Sequence, residues 1–356
     1  MKFSVKFAVL IAIGISCLLA PADADSAESQ KAVLITGATS GIGRNAAEHL
    51  AKAGYFVYAG ARKAEDIEEL NRIDNIMAVR IDVTKQDQID AAVALIEKQG
   101  RGLWGLVNNA GVSVQGPMIE VPESDLQFIF DVNVMGVYRV TKAFAPLIIE
   151  SKGRIVNISS ISGVLTAYGY GPYSISKHAV EAYTDTLADE MWDFGVRVSA
   201  IEPGNYKSEI GLTRCKRMLR DTDAKPYRFH EAYRQWRIQG CLEDLEFIDN
   251  GGEIEGEEPD AVAAAIEHAL FAESPKEHYM VVPEPFQAYI TLQKLMQELL
   301  TMNHGQEYSM SREQLIEMMD AVWPYGTGEK HYYDERRRNL PMFYGWMETE
   351  EPAQED

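Results

Sequence analysis

A tyrosine and a lysine four residues apart carry the clearest chemical potential in this chain. Tyr173 and Lys177 occur in Tyr-Ser-Ile-Ser-Lys. On a helix this spacing places both side chains on one face, one turn apart. A fixed ammonium group beside a phenol lowers the pKa of that phenol from about 10 towards neutrality. The pair therefore predicts that Tyr173 gives a proton to, or takes one from, a reacting group.

Other polar side chains lie where they could join this pair. Ser160 comes thirteen residues before Tyr173, directly after a predicted strand, and its hydroxyl could hold a carbonyl oxygen beside the phenol. Asn133 lies in Asp-Val-Asn-Val, and Asn109-Ala110-Gly111 follows the end of another predicted strand. Ligands collect at the carboxyl ends of parallel strands, so we expect these residues to border one site.

A glycine-rich turn, Thr36–Gly43, follows the first predicted strand and precedes a helix. Its glycines permit a tight turn and a close approach of the backbone to a pyrophosphate, and the helix start offers free N–H groups and a positive dipole. The turn therefore predicts a dinucleotide site. The residues of the turn expected to bind the cofactor are Gly37, Ser40, Gly41, Ile42 and Gly43.

The end of the second predicted strand indicates which dinucleotide binds. An NAD site carries an acid there for the ribose 2′-hydroxyl, whereas this chain has Ala61 followed by Arg62. A cation suits a 2′-phosphate, so NADP(H) is predicted over NAD(H), which stays possible. The alternative is that Arg62 is a solvated loop residue. Asp82 and Val83 end the third predicted strand beside the expected adenine, although Asp82 could equally cap the following helix.

Short apolar runs alternate with helix-length segments from Lys31 to about Pro283. Strand–helix alternation of this kind predicts an α/β fold with a doubly wound parallel sheet. The runs predict strands at Ala32–Thr36, Phe56–Ala59, Ile76–Ile81, Leu103–Asn108, Arg154–Ser159, Val196–Ile201 and Tyr279–Val282.

The first 24 residues resemble a targeting segment. Lys2 and Lys6 precede an apolar run of fourteen residues, and Ala22-Asp23-Ala24 supplies a cleavage pattern. A helix of that length is too short for the hydrocarbon core of a bilayer, so a cleaved signal peptide is predicted. The chain would then be extracytoplasmic, in a periplasm, in the lumen of the endoplasmic reticulum or secreted. An uncleaved anchor, with peripheral membrane association through the N-terminus, is the alternative.

The remaining chain divides into a catalytic region, residues 25–283, and a helical extension with an acidic tail, residues 284–356. Residues 205–256 break the alternation with a charged and aromatic insertion, which is either a lid or binding element or a variable surface loop. An apolar stripe between Phe286 and Leu300 is expected to pack on the sheet domain or on a second subunit. Cys215 and Cys241 could pair or stay free.

Composition excludes several classes of protein. The chain has 356 residues, of which 46% are apolar, so it is globular. Its 54 acidic and 34 basic residues give a formal charge of −20, which argues against a nucleic-acid partner. Three cysteines are too few for a disulfide scaffold, and the scattered histidines offer no metal-binding spacing, so no metal site is expected.

Together the motifs resemble the short-chain dehydrogenase/reductase family, in the branch with the TGxxxGxG turn. The matching pieces occur in family order between residues 31 and 283. They are Thr36–Gly43, Asn108–Gly111, Asn133, Ser160, Tyr173–Lys177 and Pro203-Gly204. The resemblance implies a Rossmann-type single domain and a catalytic tetrad of Asn133, Ser160, Tyr173 and Lys177. The segments around Arg62 and Ile201–Ser208 look most like the hydroxysteroid and retinol dehydrogenases, although Ser208 replaces the usual threonine.

The resemblance also implies a role for each matched residue. Tyr173 would be the acid/base, and Ser160 would polarise the carbonyl. Lys177 would bind the nicotinamide ribose and tune Tyr173, while Asn133 would anchor a relay water. The segments that would line the cofactor are Asn109, Ala110 and Gly111 at the adenosine ribose, and Pro203 and Gly204 at the nicotinamide.

The expected function is NADP(H)-dependent interconversion of a secondary alcohol and a ketone. The aromatic residues of the insertion favour a bulky apolar substrate, such as a steroid, retinoid or lipid alcohol. The alternatives are a catalytically silent nucleotide-sensing protein and a sugar-nucleotide epimerase. The helices at residues 133–150 and 172–195 carry long apolar faces, and the resemblance implies that they pair subunits in a homodimer or homotetramer.

Overall fold

A seven-stranded parallel sheet forms the centre of the protein in a computed structural model, which describes residues 30–220 and 226–326. The predicted signal segment and acidic tail lie outside the described residues. The strands are β1 Ala32–Ile35, β2 Phe56–Ala61, β3 Ile76–Arg80, β4 Gly105–Asn108, β5 Arg154–Ile158, β6 Arg197–Pro203 and β7 His278–Val281. Every predicted strand is present, so the predicted α/β fold is confirmed.

Helices cover both faces of the sheet. They are α1 Gly41–Lys52, α2 Ala64–Leu70, α3 Gln86–Gln99, α4 Glu123–Phe130, α5 Gly136–Glu150, α6 Gly171–Met191, α7 Ile210–Arg220, α8 Glu231–Asp249, α9 Asp260–Phe271, α10 Pro285–Asn303 and α11 Arg312–Gly326. Leu34 and Ile35, neighbours on β1, are both fully buried on opposite faces of the sheet. Burial on both faces explains why the strands are continuously apolar.

The strand order is β3-β2-β1-β4-β5-β6-β7. The chain runs outward from β1 to β3 and then returns to pair β4 against the other side of β1. This reversal opens a crevice at the carboxyl ends of β1 and β4, where doubly wound sheets bind their ligands. The glycine-rich turn follows β1 and Asn109 follows β4, so the fold brings both motifs to that crevice.

The insertion forms a helical hairpin of α7 and α8. A disulfide joins Cys215 to Cys241, which answers the question that the sequence left open. An ion pair of 2.5 Å between Arg217 and Asp125 and another of 2.5 Å between His230 and Glu120 tie the hairpin to the region of α4.

The C-terminal extension is helical as predicted, but its apolar stripe does not pack on the sheet domain. Phe286, Tyr289 and Met296 are each at least 60% exposed. The side of α10 that is buried carries Gln287 and Thr291 instead. Packing of the stripe on a second subunit stays a prediction.

The structure places one helical stretch that is apolar and long enough to span a membrane within its described residues, Glu123–Glu150. Of its most apolar window, 44% is buried inside the protein. This stretch contains α4 and α5, and Ile129, Phe144 and Ile148 on it belong to the core. It therefore reads as a core helix.

A charged cluster ties β7 to α6 and β6. His278 contacts Asp185 at 2.9 Å, Glu202 at 2.8 Å and Glu181 at 3.5 Å. Hydrogen bonds to these carboxylates, that to Asp185 first, raise the pKa of His278 to about 12. Glu181, Glu202 and His278 also have the spacing of metal ligands, but the charged imidazole already serves as the cation for both carboxylates.

This cluster predicts how stability depends on pH. Because the folded pKa of His278 exceeds its unfolded value of about 6.5, its contribution is complete below pH ~6.5 and is lost as pH rises towards 12. We expect His278→Gln to lower the unfolding free energy by about 1–2 kcal/mol near pH 6, and by less at pH 9. Thermal unfolding across this range measures the difference. His304→Gln, at an exposed site, is the control, and a pH-independent difference for His278→Gln would contradict the prediction.

Candidate active site

The start of α6 positions the predicted acid/base pair. Pro172 occupies the first turn of the helix, where its missing N–H group costs nothing, and Tyr173 follows it. Lys177, one turn later, is 6% exposed, and its Nζ lies 5.7 Å from the centre of the Tyr173 ring. The two side chains therefore share one face of α6, as predicted.

The predicted lowering of the Tyr173 pKa is wrong. Burial raises the pKa of Tyr173 to about 12, and a hydrogen bond with Ser160 opposes this only partly. The Lys177 Nζ donates a hydrogen bond of 2.7 Å to the Ile158 carbonyl. Burial outweighs the attraction of Glu181 and lowers the pKa of Lys177 to about 8. Desolvation dominates both groups, so Tyr173 is a neutral phenol that can donate a proton.

Ser160 joins the carboxyl ends of β5 and β6 to the phenol. Its Oγ lies near enough to the Tyr173 phenol to oppose the rise in the pKa of that phenol, and it accepts a bond of 3.1 Å from the Ser162 N–H. It also lies 3.4 Å from the Pro203 carbonyl, to which it donates. The structure therefore brings Ser160, Tyr173 and Lys177 together at the edge of the sheet where the resemblance places them.

Asn133 lies in a π-helical segment, Asp131–Met135, between α4 and α5. Its Oδ1 accepts from the Val112 N–H at 2.8 Å, and its Nδ2 donates to the Val112 carbonyl at 2.9 Å and the Ser176 Oγ at 3.1 Å. The side chain thus clamps the segment after β4 against α6. Its anchoring of a relay water stays a prediction. Wide helical turns of this kind are frequent at functional sites, but no sequence signal revealed this one.

The glycine-rich turn fits a bound pyrophosphate. Gly37 and Gly41 have φ angles of 66° and 54°, which glycine adopts without strain. Ser40 precedes α1 without a side-chain capping bond, and the first turn of that helix contains no acidic residue. The helix start is therefore left for an anion.

The segment after β4 is bonded directly to that turn. The Asn109 Nδ2 donates to the carbonyls of Thr36 at 2.9 Å and Gly37 at 3.0 Å. The N–H groups of Asn109 and Ala110 donate to the Thr36 Oγ1 at 3.0 and 3.1 Å. Asn109 therefore holds the two motifs in register, and its side chain is occupied by the protein.

Of the residues predicted at the adenosine end, one is exposed and the other two already contact other parts of the protein. Arg62 is exposed after β2, so its guanidinium is available to a ligand. The Asp82 Oδ1 accepts bonds from the N–H and the Oγ1 of Thr84, at 3.0 and 2.8 Å, so it stabilises the turn before α3 and does not cap that helix, whose N-cap is Lys85. Val83 is 7% exposed and lies against Gly136, so its side chain belongs to the core.

The turn after β6 depends on a residue that sequence reasoning missed. Gln287, in the first turn of α10, is 6% exposed, and its Oε1 accepts a bond of 2.8 Å from the Asn205 N–H. A Cβ at Gly204 would lie 2.2 Å from the same Oε1. The extension therefore helps to shape the predicted nicotinamide turn.

The α7–α8 hairpin contacts the segment that leads into α6, and its role as a binding element stays a prediction. The rings of Tyr168 and Tyr233 meet edge to face with centroids 5.2 Å apart, and Tyr168 precedes α6 by three residues. Trp236 and Phe229 on the hairpin are 63% and 66% exposed. Aromatic surface therefore lies beside the entrance to the site.

Comparison with known proteins agrees with this geometry. The profile of the family described as short chain dehydrogenase matches residues 31–217. D-beta-hydroxybutyrate dehydrogenase, mitochondrial, of Bos taurus is 42% identical over 192 residues, which are 51% of this chain and 56% of that protein. Retinol dehydrogenase 16 of Mus musculus is 36% identical over 260 residues, which are 70% of this chain and 80% of that protein.

Solved structures give the same result. A short chain dehydrogenase/reductase from Burkholderia phymatum in complex with NAD is 26% identical, with a TM-score of 0.62 over 80% of this chain and 98% of that one. An actinorhodin polyketide ketoreductase variant with NADPH is 26% identical, with a TM-score of 0.57 over 71% and 95%.

The fold and site thus define an oxidoreductase that acts on CH–OH groups with a nicotinamide dinucleotide. The chain belongs to the short-chain dehydrogenase/reductase family, as its motifs indicate.

Proposed function

We propose that the protein is an NADP(H)-preferring oxidoreductase that interconverts a secondary alcohol and a ketone. The observation that carries the proposal is the placement of the Ser160 hydroxyl near the Tyr173 phenol, with the buried Lys177 5.7 Å from the Tyr173 ring. Oxidation of NADPH with a panel of ketones tests it. Net consumption is expected, whereas an epimerase returns its hydride internally and a sensing protein consumes none.

The side chains of the site divide the work of such a reaction. A bound nicotinamide supplies or accepts the hydride. In the reducing direction, Ser160 and Tyr173 would hold the carbonyl oxygen through hydrogen bonds, and Tyr173 would deliver its proton as charge grows on that oxygen. Lys177 would contact the nicotinamide ribose. Asn133 holds the segment after β4 in place through its two hydrogen bonds with Val112.

Arg62 is proposed to select NADP(H) by pairing with the 2′-phosphate. Among the solved structures described above, one holds NAD and another NADPH, so the choice rests on this chain's own exposed guanidinium. We expect Arg62→Ala to weaken NADPH binding about tenfold, because one charge-assisted hydrogen bond is lost, and to leave NADH binding nearly unchanged. Fluorescence titration of both cofactors measures the ratio. Arg72→Ala, an exposed arginine elsewhere, is the control, and an unchanged ratio in Arg62→Ala would remove Arg62 from the site.

The substrate is proposed to have a bulky apolar body. Support comes from the aromatic side chains of the hairpin beside the site, and from a relative named for retinol. Another relative is named for hydroxybutyrate, a small acid, so size and polarity must be tested separately. A ketone panel graded by size measures this, and a preference for small neutral ketones would overturn the proposal.

The Cys215–Cys241 disulfide supports an oxidising compartment, because such bonds persist outside the reducing cytosol. A cleaved signal peptide would also remove Cys17, the one cysteine of the chain outside this disulfide. We therefore expect the mature protein to show no reactive thiol under denaturing, non-reducing conditions, and N-terminal sequencing to begin near residue 25. One reactive thiol would indicate a retained leader, and three would contradict the proposed compartment.

A homodimer or homotetramer is proposed through α5 and α6. The proposal is supported by exposed apolar side chains on these helices, Tyr138 on α5 and Ile175 on α6, and by Met135 just before α5. Light scattering of the purified protein measures the oligomeric state, and a monomer at micromolar concentration would contradict it.

A further inference from the structure

A cleft between the segment after β4 and the α7–α8 hairpin has a composition that the apolar-substrate expectation does not explain. Its space measures about 620 Å³, open solvent included. Four arginines line it, Arg214, Arg217, Arg234 and Arg237, against one carboxylate, that of Asp125. In a chain with a formal charge of −20, this is a local concentration of positive charge.

Two of these arginines are already neutralised. Arg217 forms the 2.5 Å ion pair with Asp125, and Arg234 lies 3.4 Å from the Glu231 carboxylate. Both also lie against aromatic rings, Arg217 over Phe128 at 3.8 Å. These two side chains tie the hairpin together and to the body, and no ligand is needed to explain them.

Arg214 and Arg237 differ from these two in their charge partners, although Arg237 also lies over an aromatic ring, that of Trp236, at 5.3 Å. Neither forms an ion pair of 4 Å or less with any carboxylate in the described part of the chain. Asp244 attracts Arg214 only from a greater distance. Burial and the nearby charge of Arg237 together lower the pKa of Arg214. The Nε atoms of both are buried without a hydrogen-bond partner, so two guanidinium groups repel each other and each has one buried donor unsatisfied.

Gln115 supplies a second, independent observation. It lines the same cleft and is 5% exposed, yet both its Oε1 and its Nε2 lack a hydrogen-bond partner. A buried amide with neither group bonded costs free energy, which a ligand in the cleft would recover. The three side chains converge from two separate parts of the chain on one cavity.

The cleft is lined by residues that directly follow the segment clamped by Asn133. Ser113 and Gln115 follow Val112, the residue clamped by Asn133. Tyr170, which precedes α6 and lies one turn before Tyr173, is close enough to Arg214 to affect its pKa. A substrate that reacts at Tyr173 would therefore have to extend past Tyr170 to place a group at Arg214.

We infer that Arg214, Arg237 and Gln115 bind an anionic group of the substrate, most simply a carboxylate, remote from the reacting carbon. Guanidinium groups bind planar oxyanions through paired hydrogen bonds, and Gln115 can donate a further one. Apolar side chains such as Val114, Met218 and Ile238 complete the cleft. The substrate class is thus an amphipathic hydroxy or oxo acid. This inference rests on the proposed function for the reacting end of the substrate, but the anion site is testable alone.

Binding to the full chain, without turnover, tests the site. The probes are decanoate, monodecyl phosphate and decanol, followed by calorimetry. We expect the wild-type protein to bind decanoate at least tenfold more tightly than decanol. Arg214→Gln and Arg237→Gln should each lose about tenfold of decanoate affinity and leave decanol unaffected. Arg228→Gln, an exposed arginine on the same hairpin segment outside the cleft, is the matched control and should bind as the wild type does.

The outcomes separate this inference from the proposed function. Equal binding of decanoate and decanol, or unchanged decanoate binding in both arginine variants, would overturn the anion site even if ketones are reduced. Anion binding without any NADPH oxidation would uphold the site and overturn the proposed reaction. Tighter binding of monodecyl phosphate than of decanoate would overturn the carboxylate assignment and identify a phosphate instead. Circular dichroism confirms the fold of each variant, and Arg214→Lys, which keeps the charge, should recover part of the affinity.

Discussion

Replacement of Tyr173 with phenylalanine is expected to lower kcat by about 10²–10⁴-fold while NADPH binding stays within twofold of the wild type. In the proposed reaction the phenol near Ser160 gives the proton to the substrate oxygen. Phenylalanine keeps the ring and its packing on α6 and removes only the hydroxyl. Single-turnover kinetics with a ketone, together with fluorescence titration of NADPH, measures both quantities.

A matched control for this experiment is Tyr170→Phe. Tyr170 precedes the same helix and is 41% exposed, and its hydroxyl takes no part in the proposed proton transfer. Its replacement should leave kcat within a few fold of the wild type. Wild-type turnover in Tyr173→Phe would refute the mechanism, whereas loss of NADPH binding would show that the residue serves mainly to shape the site.

The positions of the predicted catalytic residues in the fold could be derived from sequence because each residue follows or begins an element with a strong signal. The strands are buried on both faces, so a residue such as Ser160 could be placed at a strand end from the apolar run before it. The four-residue spacing of Tyr173 and Lys177 determines their shared helix face whatever surrounds them. Motifs and hydrophobic periodicity thus predict which of these side chains lie close together.

The electrostatics could not be predicted in this way. The expected lowering of the Tyr173 pKa assumed a cation in water, whereas the structure buries both groups and gives Lys177 a carbonyl partner from β5. Desolvation depends on what packs around a pair, and that packing comes from Ile158 and other residues distant in sequence. Spacing therefore identifies a pair of groups, but it does not tell whether burial or the neighbouring charge determines their pKa values.

The substrate cleft was missed for a similar reason. Arg214 and Arg237 are separated by a connection and lie on different helices, so no spacing relates them. The Cys215–Cys241 disulfide aligns α7 with α8 and thereby brings the two arginines to one cleft. The aromatic residues of the insertion could be identified in the sequence and favoured an apolar substrate. The proximity of the two arginines could be identified only from the folded hairpin.

A single added methyl group at Gly43 should weaken cofactor binding much more than it lowers the stability of the fold. A Cβ at this position would lie 2.3 Å from the Asn109 Nδ2 and 2.3 Å from the Gly37 carbonyl oxygen. Backbone cannot move away cheaply, so Gly43→Ala should displace Asn109 and open the junction between the glycine-rich turn and the segment after β4. Overpacking of this kind costs about 1–3 kcal/mol of unfolding free energy.

The effect on the cofactor should exceed the effect on stability. Loss of the paired hydrogen bonds that Asn109 makes to Thr36 and Gly37 disorders the backbone that would receive the pyrophosphate, so we expect NADPH affinity to fall about 100-fold. Gly240→Ala, in α8 with no atom within 4 Å of the added Cβ, should instead raise stability slightly through helix propensity and leave NADPH binding unchanged. Calorimetric titration and thermal unfolding of both variants measure this contrast, and wild-type NADPH affinity in Gly43→Ala would show that this junction does not form the pyrophosphate site.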